Sequence, residues 1–413
     1  MAVQNTDLTL QSKIDRHATW MLRLYYFTWV GAPGFIFPFL NLFYVREGLS
    51  GQQIGVVTAA TSITMLIASP LWTRWSDQSR HPRRVLQLAL ILTGLGWIWL
   101  GNQHIFGWIL VVSALRIVPA SGIWPISDDL ALSIQGASRA GYGQVRMWGS
   151  LGWAIMVLFS GWLIERFGLG IAFWGAAGGM TSAALVLFLL PVFKSTPQTA
   201  PDEKQRQGLP AVFNSLLRNP SLVGFAAMLV LIGIGNNGVV QFETVYMDAL
   251  GAREALIGVA GMVSSVVEVP GMLWADQLIR KHGPDRILLI SLLMQIFLRA
   301  LVFIWPTVPA ILITRLINGI AFSFYTIAIV SYITNRTPSN QRGTMLALFN
   351  VTLAGLISIL ASPLSGAIYD AVGARVLYLL AIAGYLTGWL VLRATHHLPA
   401  KSQPETLQTQ TEN

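Results

Sequence analysis

The 413-residue sequence contains no cysteine, and few of its residues carry a charge. The missing cysteines exclude a disulfide framework and thiolate metal ligands. Asp, Glu, Lys and Arg make up 11% of the chain, whereas a soluble globular protein usually carries about 25%. So few charges cannot cover the surface of a soluble protein of this size, and a lipid bilayer is the solvent that requires so few.

Histidine is also missing from the long apolar runs. The six histidines are His17, His81, His104, His282, His396 and His397. All fall in predicted tails or loops, and the apolar runs contain neither an HExxH nor a GxSxG motif. We therefore expect no metal site, no cofactor and no enzymatic activity.

Apolar residues make up 54% of the sequence, and the mean hydropathy is +0.58. They form continuous runs of the length that a membrane-spanning helix needs, about 17–25 residues. Barrel strands would instead alternate between polar and apolar residues. The twelve predicted spans are Trp20–Tyr44, Gln52–Thr73, Val85–Leu100, Phe106–Ile134, Gln144–Phe167, Leu169–Phe193, Leu222–Tyr246, Ala255–Trp274, Ile287–Ile304, Val308–Thr334, Thr344–Ile368 and Arg375–Leu392.

The basic residues indicate the orientation. With a cytoplasmic N-terminus, the outside loops hold only Arg46, Arg166, Arg253 and Arg375, and most other basic residues lie inside. Cytoplasmic loops are the ones that carry an excess of Lys and Arg. We therefore expect a multi-pass protein of the bacterial inner membrane with both termini in the cytoplasm. This distribution explains the net charge of +9 without a nucleic-acid partner.

The spans divide into two related sets. The predicted organisation is an N-terminal six-helix bundle at 1–193, a polar cytoplasmic linker at 194–219, a C-terminal six-helix bundle at 220–395 and a disordered cytoplasmic tail at 396–413. Trp75–Gln78 is echoed by Trp274–Gln277, and Ser160–Gly168 by Ser365–Gly373. Such repeated landmarks in the same order predict a duplicated architecture.

Two loops carry a resemblance to a known family. The segment Ser76–Leu86, an Asp followed by basic residues, resembles the signature of the major facilitator superfamily, and Ala275–Leu289 resembles its second copy. Thr73 and Met272 stand where that signature usually has glycine. The resemblance implies an all-α fold of twelve transmembrane helices in two pseudo-symmetric six-helix bundles, which move against each other to give alternating access.

The same loops suggest a latch between the two halves. A carboxylate at a helix end that faces guanidinium groups can hold two domains together and release them. The candidate latch and gating residues are Asp77, Arg83, Arg84, Asp276, Arg280, Arg116 and Arg315. Anchoring of the loops at the membrane surface is an alternative role for the basic residues. Arg116 and Arg315 each lie in the fourth helix of a half, and either could instead bridge helices, Arg315 by pairing with Glu243.

Charged residues within the spans are costly and usually functional. Asp128 and Arg146 are separated by 18 residues across a short loop, so they can face each other near the middle of the bilayer. Glu268 and Arg299 form a second acid–base set. Asp129 points about 100° away from Asp128 around its helix. One acid–base pair in each half is therefore predicted at the depth where transporters bind their cargo.

The segment Gly141–Ala154 is similar to the fifth helix of the lactose permease and related oligosaccharide–proton symporters. On that resemblance, Arg146 and Trp153 take the sugar-binding and sugar-stacking positions, Asp128 the acidic position of helix 4, and Glu268 and Arg299 those of helices 8 and 9. Asn318 and Ala321 replace the His and Glu of helix 10. Thr314–Gly319 instead resembles phenylpropionate and nucleoside transporters.

These resemblances imply a proton-coupled symporter that imports a small polar organic solute. A sugar or glycoside is favoured over an aromatic acid or a nucleoside because Trp153 is present. A proton-driven exporter is an alternative, although Gly149–Gly161 lacks the proline that exporters carry there. A non-transporting receptor is disfavoured by the buried charges.

Each predicted site residue then receives a role. The predicted substrate-binding residues are Asp128, Arg146, Trp153, Glu268, Arg299 and Asn318. The predicted proton-coupling residues are Glu268, Asp128, Asp129 and Arg299. The expected partners are the solute, a proton or another coupling cation and the lipid bilayer, with the protein acting as a monomer.

Overall fold

The computed structural model describes residues 2–79, 81–135, 139–190, 209–338 and 340–398, with the side chains of 2–16, 135, 139–143 and 209–212 left aside. Within these residues, twelve helices are long and apolar enough to cross a membrane. The predicted all-α membrane fold with twelve spans is therefore confirmed.

The spanning helices are named α1 to α12 in chain order. They are α1 (His17–Arg46), α2 (Gly51–Gln78), α3 (Pro82–Gly101), α4 (Phe106–Ile134), α5 (Gln144–Phe167), α6 (Gly170–Leu189), α7 (Pro220–Ala249), α8 (Glu254–His282), α9 (Pro284–Ile304), α10 (Val308–Arg336), α11 (Arg342–Val372) and α12 (Ala374–Thr395). Helices α1–α6 form the N half, and α7–α12 form the C half.

The two ends of the bundle differ in what they hold. An even number of spans brings the start of α1 and the end of α12 to the same end, which we call the terminal end. The opposite end, the distal end, holds the turns around Gly48, Gly168, Gly251 and Gly373. These four glycines have φ between 81° and 86°, the left-handed conformation that glycine adopts without a Cβ clash.

Two helices are interrupted. The regular helix of α1 ends at Gly31, continues as 3₁₀ turns over Ala32–Phe35 and Phe37–Phe39, and resumes at Leu40–Arg46. Prolines in the two turns lack the N–H that a regular helix needs. Helix α11 contains a π-helical segment, Leu348–Leu353. Such segments often occur at functional sites, and this one lies beside a cavity described below.

The buried core is continuous between the halves only toward the distal end, as far as the described residues go. One apolar cluster joins Phe39 and Tyr44 of α1 to Val239 and Phe242 of α7. Two further clusters lie within single halves, around Tyr25 and Tyr26 in the N half and around Phe225 and Tyr332 in the C half.

The predicted linker and tail are described only in part. A helix, Leu209–Arg218, lies within the segment 194–219 that the sequence predicts as a linker. Residues 191–193 of the predicted N-terminal bundle, 194–208 of the predicted linker and 399–413 of the predicted tail lie outside the described residues.

Candidate functional site

Charged groups join the two halves at the distal end. The Arg46 guanidinium of α1 binds the carboxylates of Asp248 at 2.9 Å and Glu254 at 2.7 Å, both in the C half. A second contact joins an acid of the C half to the N half. The Asp370 carboxylate of α11 accepts hydrogen bonds from the backbone N–H groups of Gly51 at 2.6 Å and Gln52 at 2.9 Å. These two N–H groups begin α2, so the carboxylate also interacts favourably with the helix dipole.

Glycines allow close approach of the helices behind these charges. A Cβ on Gly55 of α2 would collide with the carbonyl oxygen of Ser362 in α11. A Cβ on Gly258 of α8 would lie 2.8 Å from the carbonyl oxygen of Val157 in α5. The α2–α11 and α8–α5 contacts are equivalent when the halves are exchanged, which agrees with the duplicated architecture.

Polar contacts between the halves become fewer toward the terminal end. The Ser62 and Ser358 hydroxyls lie 3.1 Å apart in the middle of α2 and α11. Beyond them in the terminal direction, the hydrogen bonds and ion pairs of the described side chains stay within one half, leaving aside Thr19, Tyr26, Arg146 and Gln341. The arrangement is therefore closed at the distal end and separated at the terminal end.

A polar cavity lies within the C half and has a volume of about 530 Å³. We call it the C-half cavity. Its polar lining includes Asn236, Glu243, Gln295, Arg299, Arg315 and Asn318. Phe349 and Asn350, from the π-helical segment of α11, complete one wall.

The polar groups of this cavity bind one another. Arg315 Nε donates to Glu243 Oε1 at 2.7 Å, which is the pair that the sequence suggested. Arg299 Nε donates to Asn236 Oδ1 at 3.1 Å. Gln295 donates to Asn318 Oδ1 at 3.0 Å. The cavity therefore contains two guanidinium groups and one carboxylate.

Two smaller cavities lie between the halves. The first, the Asn41 cavity, has a volume of about 260 Å³ and is lined by Asn41, Trp153, Gln241 and Arg315 among others. The second, the Glu268 cavity, has about 220 Å³ and is lined by Trp153 and Glu268 among others. Trp153 therefore forms a wall of both, and Arg315 forms a wall of both the Asn41 cavity and the C-half cavity.

Trp153 and Glu268 also lie at the same height in the bundle. Trp153 is fourteen residues from either end of the helix Arg139–Phe167. Glu268 is likewise fourteen residues from either end of Glu254–His282. The half-buried Glu268 carboxylate forms no ion pair with the described side chains. The structure thus brings two of the predicted site residues together at mid-height between the halves.

The expected pairing of Glu268 with Arg299 is not formed. Arg299 donates to Asn236 and lines the C-half cavity, whereas Glu268 lines the cavity beside Trp153. The sequence gives the depth of each residue but not the rotation of its helix, and the rotations direct these two side chains into different cavities.

Asp128 and Arg146 lie closer to the terminal end than the sequence suggested. The helix of α4 continues to Gln135 and that of α5 begins at Arg139. Each charged residue is thus seven residues, or about 10 Å, from its helix end. Because a helix of about 30 residues is longer than the hydrocarbon core of about 30 Å, this position lies well away from the middle.

Asp128 and Arg146 each contact an aromatic side chain. Tyr26 donates a hydrogen bond of 2.9 Å to Asp128 Oδ1. The Arg146 guanidinium lies 5.1 Å from the centre of the Trp124 ring. The ion pairs between described side chains do not join Asp128 to Arg146, so a ligand shared by the two groups stays a prediction. Neither residue lines the three cavities described above.

The latch residues do not join the halves in this structure. Asp276 pairs with Arg280 at 2.5 Å within α8. Arg83 donates to the carbonyl oxygen of Leu190 at 2.6 Å within the N half. Arg84 and Asp77 are exposed. Asp129 is exposed as well and interacts electrostatically with Asp77, so it belongs to the terminal end.

The latch prediction follows from this separation. Asp77→Asn or Asp276→Asn removes a charge that can bind across the halves only when the terminal end closes. We expect either variant to favour the conformation that is open at the terminal end, with solute affinity retained. Spin-label distances between the halves at that end measure the shift, and Glu47→Gln, which alters an exposed pair with His104, is the control. Unchanged distances in both variants would refute the latch.

Arg116 is packed within the N half. Its guanidinium lies 3.6 Å from the centre of the buried Trp97 ring, and a Cβ on Gly96 would touch its side chain. A cation held over an indole face is stabilised by the ring quadrupole. Arg116 and Arg315 thus occupy similar sequence positions but have different partners, and the Trp97 contact favours a structural role for Arg116.

Sequence reasoning missed the distal interface. The sequence identifies Arg46 and Arg253 only as charges in outside loops, and it predicts no role for Asp370. Arg253 lies 3.6 Å from the Glu165 carboxylate across the halves. A signal was present, since Glu165 and Asp370 occupy the same position within the repeated segments Ser160–Gly168 and Ser365–Gly373.

The chain matches known proteins over most of its length. The model of the MFS_1 like family matches residues 19–380. The maltose permease of Geobacillus stearothermophilus is 28% identical over 81% of this chain and 83% of that protein. The probable 3-phenylpropionic acid transporter of Escherichia coli (strain K12) is 25% identical over 88% of this chain and 95% of that protein.

A solved structure agrees with the fold. The crystal structure of the nucleoside transporter NupG has a TM-score of 0.79, with 14% identity over 92% of this chain and 99% of that one. At this identity the likeness concerns the fold alone, and it covers both halves.

Proposed function

Because the chain belongs to the MFS_1 like family of major facilitator transporters, we propose that it is a proton-coupled symporter that imports a small polar organic solute by alternating access. A sugar or glycoside is the favoured solute. The observation that carries the proposal is the placement of Trp153 and Glu268 on one cavity between the halves at mid-height.

The chemistry of the interface cavities supports a glycoside. An indole face packs against the apolar face of a sugar ring, and amide and hydroxyl groups bind its hydroxyls. Trp153 provides the indole, while Asn41, Gln241, Ser264 and Ser265 provide the polar groups around it. The similarity to a protein named maltose permease points in the same direction.

Alternating access is supported by the contrast between the two ends. With both termini in the cytoplasm, the separated terminal end faces inward and the distal interface faces outward. Rocking of the two halves would break the contacts of Arg46 and Asp370 and open the cavities on the other side. The structure then represents an inward-open conformation.

An aromatic acid is a second candidate. Phe322, Tyr325, Phe349 and Tyr385 line the C-half cavity together with two arginines. Such a lining suits an aromatic ring that carries a negative charge. The similarity to a protein named as a phenylpropionic acid transporter agrees with this candidate.

Uptake into proteoliposomes tests the proposal. Labelled maltose, phenyl β-glucoside, 3-phenylpropionate and uridine are offered with and without a pH gradient across the membrane. The proposal requires that at least one glycoside accumulates above its outside concentration and that a protonophore abolishes the accumulation. Accumulation that persists without a pH gradient would refute proton coupling.

The Asp128–Arg146 prediction tests the predicted site in the N half. If the two residues bind the solute, the variant Asp128→Leu/Arg146→Met still folds but loses solute affinity by about tenfold or more, as expected for lost charge-assisted hydrogen bonds. If they are only structural, removal of both charges together leaves affinity near normal. Calorimetric titration of the purified variant distinguishes the two, and its melting temperature reports folding.

A further inference from the structure

The Arg299 side chain of α9 lines the C-half cavity. Its Nε donates to the neutral amide oxygen of Asn236, and the rest of its guanidinium borders the cavity. A cation within a membrane protein is costly unless an acid or a ligand neutralises it. A negatively charged group is therefore expected near the Arg299 guanidinium.

The acids of the described C half are engaged elsewhere. Glu243 pairs with Arg315. Asp248 and Glu254 bind Arg46, and Asp370 binds backbone N–H groups of α2. The other two acids with ion-pair partners are Asp276, with Arg280, and Asp285, with Arg336.

Glu268 is the remaining acid of the described C half. It lines the Glu268 cavity beside Trp153 and not the C-half cavity. No acid of the described side chains therefore neutralises Arg299 in this structure. Helix α10 offers none either, since it contains no Asp or Glu, and its Asn318 binds Gln295.

The charge balance points to an anion. Arg299, Arg315 and Glu243 line the same cavity, so their charges are considered together. Their formal charges sum to +1. The cavity of about 530 Å³ is wide enough for a ring-sized solute, and aromatic side chains line the wall around it.

We propose that Arg299 forms, with Asn236, a subsite for a carboxylate-class group carried by the transported solute. A planar guanidinium offers several N–H donors to a carboxylate in matching geometry. The C-half cavity shares Arg315 with the Asn41 cavity, and the Asn41 cavity shares Trp153 with the Glu268 cavity. Within the C-half cavity, one solute can therefore place a ring against the aromatic wall and a carboxylate toward Arg299. This inference rests on the proposed function and narrows its solute to an acid.

Matched ligand pairs test the subsite. Phenyl β-glucuronide and phenyl β-glucoside differ by a carboxylate in place of a hydroxymethyl group, and 3-phenylpropionate and 3-phenylpropan-1-ol differ in the same way. Binding of each is measured by calorimetry to the purified wild type, Arg299→Gln and Arg299→Lys. The control is Arg336→Gln, which removes an arginine that binds Asp285 outside the cavity. Melting temperatures confirm that each variant is folded.

The wild type and the control are expected to bind the acid of a pair about tenfold more tightly than the neutral member, the size of one charge-assisted hydrogen bond. Arg299→Gln should lose this preference, and Arg299→Lys should keep part of it. Equal affinities of the wild type for the acid and the neutral member, or an acid preference that survives Arg299→Gln, would refute the subsite. Neither result would contradict glycoside transport.

The remaining outcomes separate the two proposals. An Arg299-dependent preference for 3-phenylpropionate, without binding of either glycoside, would support the subsite and refute the sugar assignment. No binding of any of the four compounds would refute both. Acetate that binds as tightly as the glucuronide would mean a site for a free anion, and would overturn the assignment to a solute.

Discussion

Glu268→Gln is expected to abolish pH-driven accumulation of the solute while leaving exchange of solute across the membrane. A gradient of one pH unit can drive about tenfold accumulation in one-to-one symport, because a tenfold ratio corresponds to about 1.4 kcal/mol. Glutamine keeps the size of the side chain but cannot bind or release a proton. Since Glu268 lines the cavity beside Trp153 without an ion-pair partner among the described side chains, its charge is free to change during the cycle.

The measurement compares net uptake with exchange in proteoliposomes. The solute is the compound that the wild type accumulates from the panel of maltose, phenyl β-glucoside, 3-phenylpropionate and uridine. Glu47→Gln makes the same substitution at a partly exposed glutamate that pairs with His104, and it should behave as the wild type. Full accumulation by Glu268→Gln would transfer the coupling role to Asp128 or Asp129.

Gly55→Val is expected to reduce transport to near background while the protein still binds its solute. A Cβ at this position collides with the Ser362 carbonyl oxygen, and the nearest atom of Pro363 would be only 2.6 Å away. Backbone atoms cannot rotate away as a flexible side chain can, so α2 and α11 must separate. The distal end then stays open, and the cycle stops.

The matched control for this substitution is Gly178→Val. Gly178 also lies within a helix, α6, but no atom lies within 4 Å of its Cβ position. The same change in size and in helix propensity is therefore made without a collision. Transport by Gly55→Val at the level of Gly178→Val would show that close approach at the distal end is not required.

The fold was predictable from the sequence because its main determinant is local. Bilayer thickness sets the length of each apolar run, and each run forms its own backbone hydrogen bonds. The spans near α2, α4 and α10 were therefore placed correctly to within a few residues at most ends. The repeated segments added the division into two halves, which the equivalent Gly55 and Gly258 contacts agree with.

The site was less predictable because its partners come from distant helices. The sequence placed Glu268 near the middle of the membrane, and in the structure Glu268 lies at the middle of its helix. It placed Asp128 and Arg146 too deep, because α4 and α5 extend beyond their apolar runs. Partners such as Asn236 for Arg299 depend on helix rotation, which a nearly all-apolar helix surface leaves unspecified.

The distal interface could not be derived from the sequence for another reason. Under the proposed alternating access, its contacts exist in one conformation of the two halves and are broken in the other. A residue such as Arg46 would then alternate between a solvated loop charge and a partner of Asp248 and Glu254. Composition alone identifies only the first of these roles.

Reciprocal movement of the two ends is the most direct test of alternating access. The chain contains no cysteine, so spin labels attach only where cysteines are introduced. One pair, Phe167→Cys with Val372→Cys, measures the distal end, and a second, Gln78→Cys with Lys281→Cys, measures the terminal end. Double electron–electron resonance in the wild type and in Gly55→Val gives both distance distributions. Alternating access predicts that Gly55→Val lengthens the distance at the distal end and shortens the distance at the terminal end. A distal distance that lengthens with no change at the terminal end, or two distances that change in the same direction, would contradict it.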